Sequence, residues 1–146
     1  MGTGIPSFLE NAVGFNIYRV SLLIRRELMK ALEEYDITPE QWQVLVSLWE
    51  EQRPMNQQEI SRITLRDKHT VSRMLARMER DGWVARQSSA EDRRSQEVTL
   101  TPKAWQNREA MVSRLLGHFE PILGCLEKPE QDVLLGLLQR LRSQME

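Results

Sequence analysis

The sequence predicts a mainly α-helical chain with a small β-hairpin, on three observations. Residues 56–63 and 68–81 are two amphipathic helical segments, separated only by the polar break Thr64-Leu65-Arg66-Asp67. Gly82 follows the second segment and permits the left-handed residue that ends many helices. Residues 83–86 and 97–100 then read as two strands around the charged tip Glu91-Asp92-Arg93-Arg94. Two helices on a short turn, followed by an arginine-tipped ribbon, describe a winged helix-turn-helix. Longer helical segments flank it on both sides.

The second helix carries the most information. Val71, Met74, Leu75 and Met78 fall at i, i+3, i+4 and i+7, which is one apolar face. Packed by that face, the helix turns Lys68, His69, Thr70, Ser72, Arg73, Arg77 and Arg80 elsewhere. Arg and Lys can donate to guanine O6 and N7, and Thr or Ser can meet thymine methyls or phosphates. Helix-turn-helix readers touch bases chiefly with the first turns of this helix, which favours Lys68 to Arg73 over Arg80. An ordinary solvated basic face has the same composition, so the hairpin matters. Arginines on a protruding ribbon suit a narrow minor groove, where negative potential is strongest. Asp92 is placed to orient one of them by a bidentate pair.

The flanks follow in order. Residues 7–35 read as one long helix, apolar on more than one side: Val13, Ile17 and Ile24 on one, Leu22, Met29 and Leu32 on another. Such a helix needs two partners, one of them a second chain. Thr38-Pro39-Glu40-Gln41 is a helix start with a capping box, and Asn56 with Glu59 repeats it. Trp42, Leu45, Val46 and Trp49 then face the core. Thr101-Pro102 opens another helix, which Pro121 is expected to kink or break. A last helix starts at Pro129, with Leu134, Leu137, Leu138 and Leu141 at i, i+3, i+4 and i+7.

Composition bounds the function. The 146 residues are 40% hydrophobic and 28% charged, enough for one helical domain with a core. Net charge is −1, but residues 62–94 carry nine Lys or Arg against five Asp or Glu, a local +4 on a body of −5. A basic patch on an acidic body attracts and aims a polyanion. No secretory signal or membrane span is read, so a cytoplasmic protein is expected. The lone Cys125 sits among apolar residues and is expected to be a buried small hydrophobe. His69 and His118 are far apart in sequence. Neither metal-ligand spacing, nor a phosphate-binding glycine loop, nor a nucleophile elbow is present. No metal, cofactor or catalytic residue is assigned.

The run Thr38-Pro39-Glu40-Gln41-Trp42-Gln43-Val44-Leu45, the run from Thr70-Val71-Ser72-Arg73 to Asp81-Gly82-Trp83-Val84, then Asp92-Arg93-Arg94 and Val98-Thr99-Leu100-Thr101-Pro102-Lys103, resemble the MarR family of bacterial transcriptional regulators in order and spacing. The likeness covers most of residues 38–104. Ala104 stands where the family usually has Gly, and Thr64 where Leu is common. The resemblance implies a winged helix-turn-helix lobe over residues 38–101, between dimerisation helices at 7–35 and 102–143. It implies a homodimer on duplex DNA, most often a repressor, with half-sites roughly 34–36 Å apart. The expected DNA face is Arg66, Lys68, His69, Thr70, Ser72, Arg73, Arg77, Arg86, Arg93 and Arg94, with Asp92 orienting the wing. Family members respond to small, often aromatic or phenolic, molecules; a pocket here would involve Tyr18, Arg25, Trp42 and Trp49. Two other readings remain at this stage: a winged-helix module for an acidic protein partner, and an RNA-binding winged helix.

Overall fold

The computed structural model describes residues 2–89, 91 and 94–146. Among the described residues, two short helical pieces and six longer helices surround a small antiparallel sheet, and local hydrogen bonding sets most of their ends.

The expected first helix is three pieces: α1 (Ser7–Glu10), α2 (Val13–Ala31) and a 3₁₀ turn at Glu33–Tyr35. Two asparagines account for the first break. Asn11 Nδ2 donates to the Ser7 carbonyl at 2.8 Å, and Asn16 Nδ2 donates to the Glu10 and Ala12 carbonyls, both at 2.8 Å. The Glu10 carbonyl is thus met by a side chain across the break, while the Ser7 and Ala12 carbonyls also keep the N–H groups of Asn11 and Asn16, and Ala12 turns extended. Asp36, left-handed at φ 53°, ends the second break.

Helix α3 (Pro39–Glu51) starts at the expected capping box. Thr38 Oγ1 accepts from the Gln41 N–H at 3.2 Å, and Gln41 Oε1 accepts from the Thr38 N–H at 2.9 Å. Strand β1 (Met55–Asn56), which the sequence did not signal, leads directly into α4 (Gln57–Thr64). Asn56 and Glu59 form the second capping box, at 2.8 and 2.9 Å. Thr64 folds its hydroxyl back onto the Ile60 carbonyl at 2.7 Å and is buried, while Leu65 takes a left-handed φ of 53°. The turn after α4 thus closes without glycine.

Helix α5 (Lys68–Arg80) is capped by Asp67, which accepts from both the N–H and the hydroxyl of Thr70 at 2.9 Å. Its far end is a Schellman motif: the Gly82 N–H reaches the Glu79 carbonyl and the Trp83 N–H the Met78 carbonyl, with Gly82 at φ 83°. The hairpin pairs β2 (Val84–Ser88) with β3 (Gln96–Leu100), Val84 opposite Leu100 and Arg86 opposite Val98. β1 adds to the other edge of β3, giving the order β1-β3-β2.

Helix α6 (Pro102–Leu123) runs through Pro121 instead of breaking there. That proline lies in the last turn, where one missing hydrogen bond costs little, and the helix ends at Gly124. Helix α7 (Lys128–Met145) has Pro129 in its first turn. Cys125, in the short connection between the two, is exposed rather than buried. The apolar pattern around it leaves the sulfur on the outside of its own chain.

The core lies inside the lobe. Leu45, Trp49, Ile60, Val71, Leu75, Met78 and Val98 meet there, joined by Leu32 after α2 and by Ala104 and Met111 of α6. Trp42 and Trp49 stack edge to face at 5.6 Å, and Trp49 Nε1 donates to the Ala104 carbonyl at 3.3 Å. Helix α6 is tied to α2 by Arg114, which donates to the Ala31 carbonyl at 3.0 Å and pairs with Glu34. α7 has no buried residue, and most apolar residues of α2 are exposed as well.

Candidate nucleic-acid interface

Val71, Leu75 and Met78 of α5 point into the core, which fixes what the helix shows outside. At 100° per residue, the side opposite them is the line His69, Arg73, Ala76, Arg80, and all four are exposed. Lys68 and Ser72 lie to one side of that line. They border a trough shared with Gln57, Gln58, Arg66, Arg94 and Gln96, about 820 Å³ in volume. Thr70 and Arg77 lie to the other side and, with Arg73 of the line itself, border a cleft of about 420 Å³ between α2, α3 and α5.

Short-range bonds hold the trough open. Gln57 Nε2 donates to the Lys68 carbonyl at 3.0 Å, which pins the start of α4 to the start of α5. At the base of the wing, Lys103 lies 4.2 Å over the Trp83 ring and donates to the Asp81 carbonyl at 2.7 Å. Thr101 Oγ1 donates to the Gly82 carbonyl at 2.6 Å. The ribbon is therefore anchored to the end of the helix it follows, and the positions of α5 and the wing depend on each other. Among the described residues the trough is lined by glutamines, serines and Asn56, with Lys68, Arg66 and Arg94 as its cations and Asp67 as its one carboxylate.

The expected site residues divide into groups. Lys68, His69, Ser72 and Arg73 stand along the exposed side of α5. Thr70 spends its hydroxyl on Asp67, so its role is capping as much as contact. Arg77 is exposed and lies 3.8 Å from Asp36. Arg94 is exposed and lines the trough. Asp92 and Arg93 lie outside the described residues. Arg86 differs from expectation: its side chain is only 20% exposed, and Nη2 is bonded to Glu79 at 3.2 Å. Glu79 also accepts from the Arg86 backbone N–H at 3.0 Å. Arg86 thus joins the wing to α5 and has little reach toward a partner.

The four residues expected around a pocket are dispersed. Trp42 and Trp49 are core residues, and Tyr18 is exposed on α2. Arg25 borders the α2–α3–α5 cleft and pairs with Glu40. Glu40 is the residue that sequence reading missed. Its Oε1 accepts from Arg25 Nη1 and, at 2.6 Å, from Arg66 Nη2. Separations of 15 and 26 residues carry no local signal for either contact.

Burial is the largest single influence on Glu40 and pushes its carboxyl up. Hydrogen bonds from Arg25 and Arg66, its own backbone N–H and the Arg25 charge together outweigh it, and bring the group from 4.5 to about 2. A carboxyl depressed in the folded state stabilises fully above its unfolded value and loses that contribution as pH falls through the folded one. Glu40→Gln should therefore melt below the parent at neutral pH, and the gap should close between about pH 4.5 and 2. Thermal unfolding across a pH series checks this; a gap independent of pH would mean that the two guanidinium bonds add nothing. Asp67 is also held below its ordinary value, first by the Thr70 backbone N–H and then by the Thr70 hydroxyl.

Among the described residues no group of three or more His, Cys, Asp or Glu is placed to hold a metal ion, and no helix is long and apolar enough to cross a membrane.

Comparison with known proteins agrees with this geometry. The model of the MarR family matches residues 37–96. The HTH-type transcriptional regulator YwoH of Bacillus subtilis is 28% identical over 138 residues, 94% of this chain and 99% of that protein. The structure of reduced AbfR bound to DNA is 34% identical at a TM-score of 0.71, covering 96% of each chain. The transcriptional repressor CouR, bound to a 23-mer DNA duplex, is 25% identical at a TM-score of 0.83, covering 97% of this chain and 98% of that one.

Proposed function

The chain belongs to the MarR family of transcriptional regulators, and from that premise we propose that it is a repressor that binds an inverted-repeat operator as a homodimer. Residues 38–101 form the DNA-binding lobe. Residues 7–35 and 102–143 supply dimerisation helices that set the spacing of two lobes. The observation that carries this reading is the exposed line His69-Arg73-Ala76-Arg80, flanked by the Lys68–Arg94 trough. Each α5 enters a major groove, and each wing follows the backbone toward the adjacent minor groove. The repressor role is supported by likeness to CouR, whose complex is with duplex DNA. A small effector would act from the α2–α3–α5 cleft, which lies between the dimerisation helices and the reading helix. A ligand that favours one lobe spacing shifts the population toward it, and DNA changes that ligand's affinity by the same factor.

The test is selection of duplexes from a random pool near physiological salt, about 0.15 M, where screening limits non-specific attraction. An enriched inverted repeat is expected. Weak, salt-sensitive binding with no motif would instead favour a winged-helix module for an acidic protein partner or RNA.

Arg73 is the predicted base reader. Arg73→Ala should lose about 1–3 kcal/mol of discrimination at one base pair, while its affinity for unrelated duplex falls only modestly. Competition between the selected operator and single-base variants measures this. Equal preference in parent and variant would move base reading to His69 or Ser72.

A further inference from the structure

Arg66 stands where two features of the molecule meet. It lies in the turn between α4 and α5, and it borders both the trough beside the wing and the cleft behind α5. Its side chain is 47% exposed, yet one guanidinium nitrogen is committed to Glu40. Glu40 is only 14% exposed, and the same oxygen serves Arg25 of α2. Glu40 itself has little freedom. It occupies the first turn of α3, immediately after the Thr38 cap and Pro39. A guanidinium bonded at one edge to a fixed carboxylate has its plane set, and it keeps several N–H donors on the remaining edges.

We propose that Glu40 is a positioning residue for DNA binding: it holds the Arg66 guanidinium at the rim of the trough, where the remaining N–H groups meet a backbone phosphate, and Arg25 holds Glu40 from α2. This rests on the DNA-binding reading of the same face. An arginine fixed in this way has already lost its rotamer freedom at folding, so less is lost when the phosphate arrives. The arrangement has a second consequence. Arg25 belongs to the dimerisation frame and Arg66 to the lobe, so a movement of α2 that withdraws Arg25 loosens the phosphate contact at the turn.

The sign of the effect makes the proposal testable. Removing a negative charge beside DNA would by itself tighten binding, whereas losing the positioning of Arg66 weakens it. The probe is a fluorescent duplex of random sequence, because phosphate contacts carry no sequence requirement. Full-length parent, Glu40→Gln, Glu40→Asp, Arg66→Ala and the two double variants are titrated over a range of salt, with thermal melts alongside. Glu40→Gln and Glu40→Asp are expected to bind roughly two- to tenfold more weakly than the parent, the equivalent of re-ordering one long side chain. Glu40→Asp keeps the charge and shortens the reach, so it separates geometry from electrostatics. Arg66→Ala should flatten the salt slope by about 0.9, the value of one phosphate contact. In the Arg66→Ala background, neither Glu40 substitution should cost anything further.

A Glu40→Gln protein that binds as tightly as the parent, or tighter, overturns the positioning role alone. So does a loss that persists when Arg66 is already alanine, since it would reflect general damage to the lobe. A parent that does not bind duplex even at low salt overturns the DNA reading, and this proposal with it.

Discussion

Trp49→Ala is expected to destabilise the protein by about 3–5 kcal/mol, the range for deleting a large buried aromatic side chain. Trp49 is 1% exposed and sits where α3, α6 and the sheet converge. Its ring is edge-on to Trp42, and its N–H reaches the first turn of α6. Alanine removes both contacts, and the neighbours cannot collapse far, because Trp42 is held by the capped start of α3. A domain of this size has about 5–15 kcal/mol in total, so the variant should be close to unfolding at physiological temperature. Trp49→Phe is the milder change: it keeps a six-membered ring and loses the 3.3 Å hydrogen bond with the rest of the indole, so it should cost less. Urea unfolding followed by far-UV circular dichroism, at fixed protein concentration because association adds to apparent stability, measures both. A loss below about 1 kcal/mol for the alanine variant would mean that the lobe repacks freely around this position.

Features written within three or four residues were legible in the sequence. The boxes at Thr38/Gln41 and Asn56/Glu59 are each made between i and i+3, so residue identity determines them. Gly82 announced the end of α5 because the Schellman geometry requires a left-handed residue there. The apolar face of α5 followed from its period, and the exposed His69 and Arg73 followed from that face.

Features made between distant segments were not legible. Strand β1 is two residues long and exists only because β3 pairs with it. Arg86 carries the same charge as Arg73, but its strand register places it against Glu79, which no local pattern states. Glu40 has the local position of an ordinary first-turn carboxylate, a favourable charge at a helix N-terminus. Only the approach of α2 and of the α4–α5 turn to the start of α3 makes it the shared acceptor of two arginines. The break at Asn11–Ala12 is local and still carries no signal in the apolar periodicity, which continues across it; it is marked only by two asparagine amides that bond main-chain carbonyls.

The double variant Leu134→Asp/Leu138→Asp is expected to turn the proposed homodimer into a monomer. Leu134 and Leu138 lie one turn apart on α7, and with Val13 and Ile17 of α2 they line an apolar hollow of about 690 Å³. Both leucines are exposed in the single chain, 43% and 39%, and α7 buries nothing of its own. The substitutions therefore remove no contact within the lobe, and its melt should survive. In a two-fold interface each substitution appears twice, so four carboxylates would enter an apolar contact without partners. The desolvation cost of unpaired buried charges exceeds what such an interface supplies.

The effect on DNA follows from bivalency. Two linked lobes bind an inverted repeat with the second contact made at high effective concentration. Separating them should weaken operator binding roughly a hundredfold to ten-thousandfold. Affinity for a duplex carrying one half-site should hardly change, because α5 and the wing are untouched. Sedimentation velocity reports the association state, and titration of full and half operators reports the two affinities. A variant that stays dimeric would place the interface elsewhere than α2 and α7. A monomer that keeps full operator affinity would mean that one lobe reads the whole site, and that the exposed leucines serve some purpose other than spacing two readers on DNA.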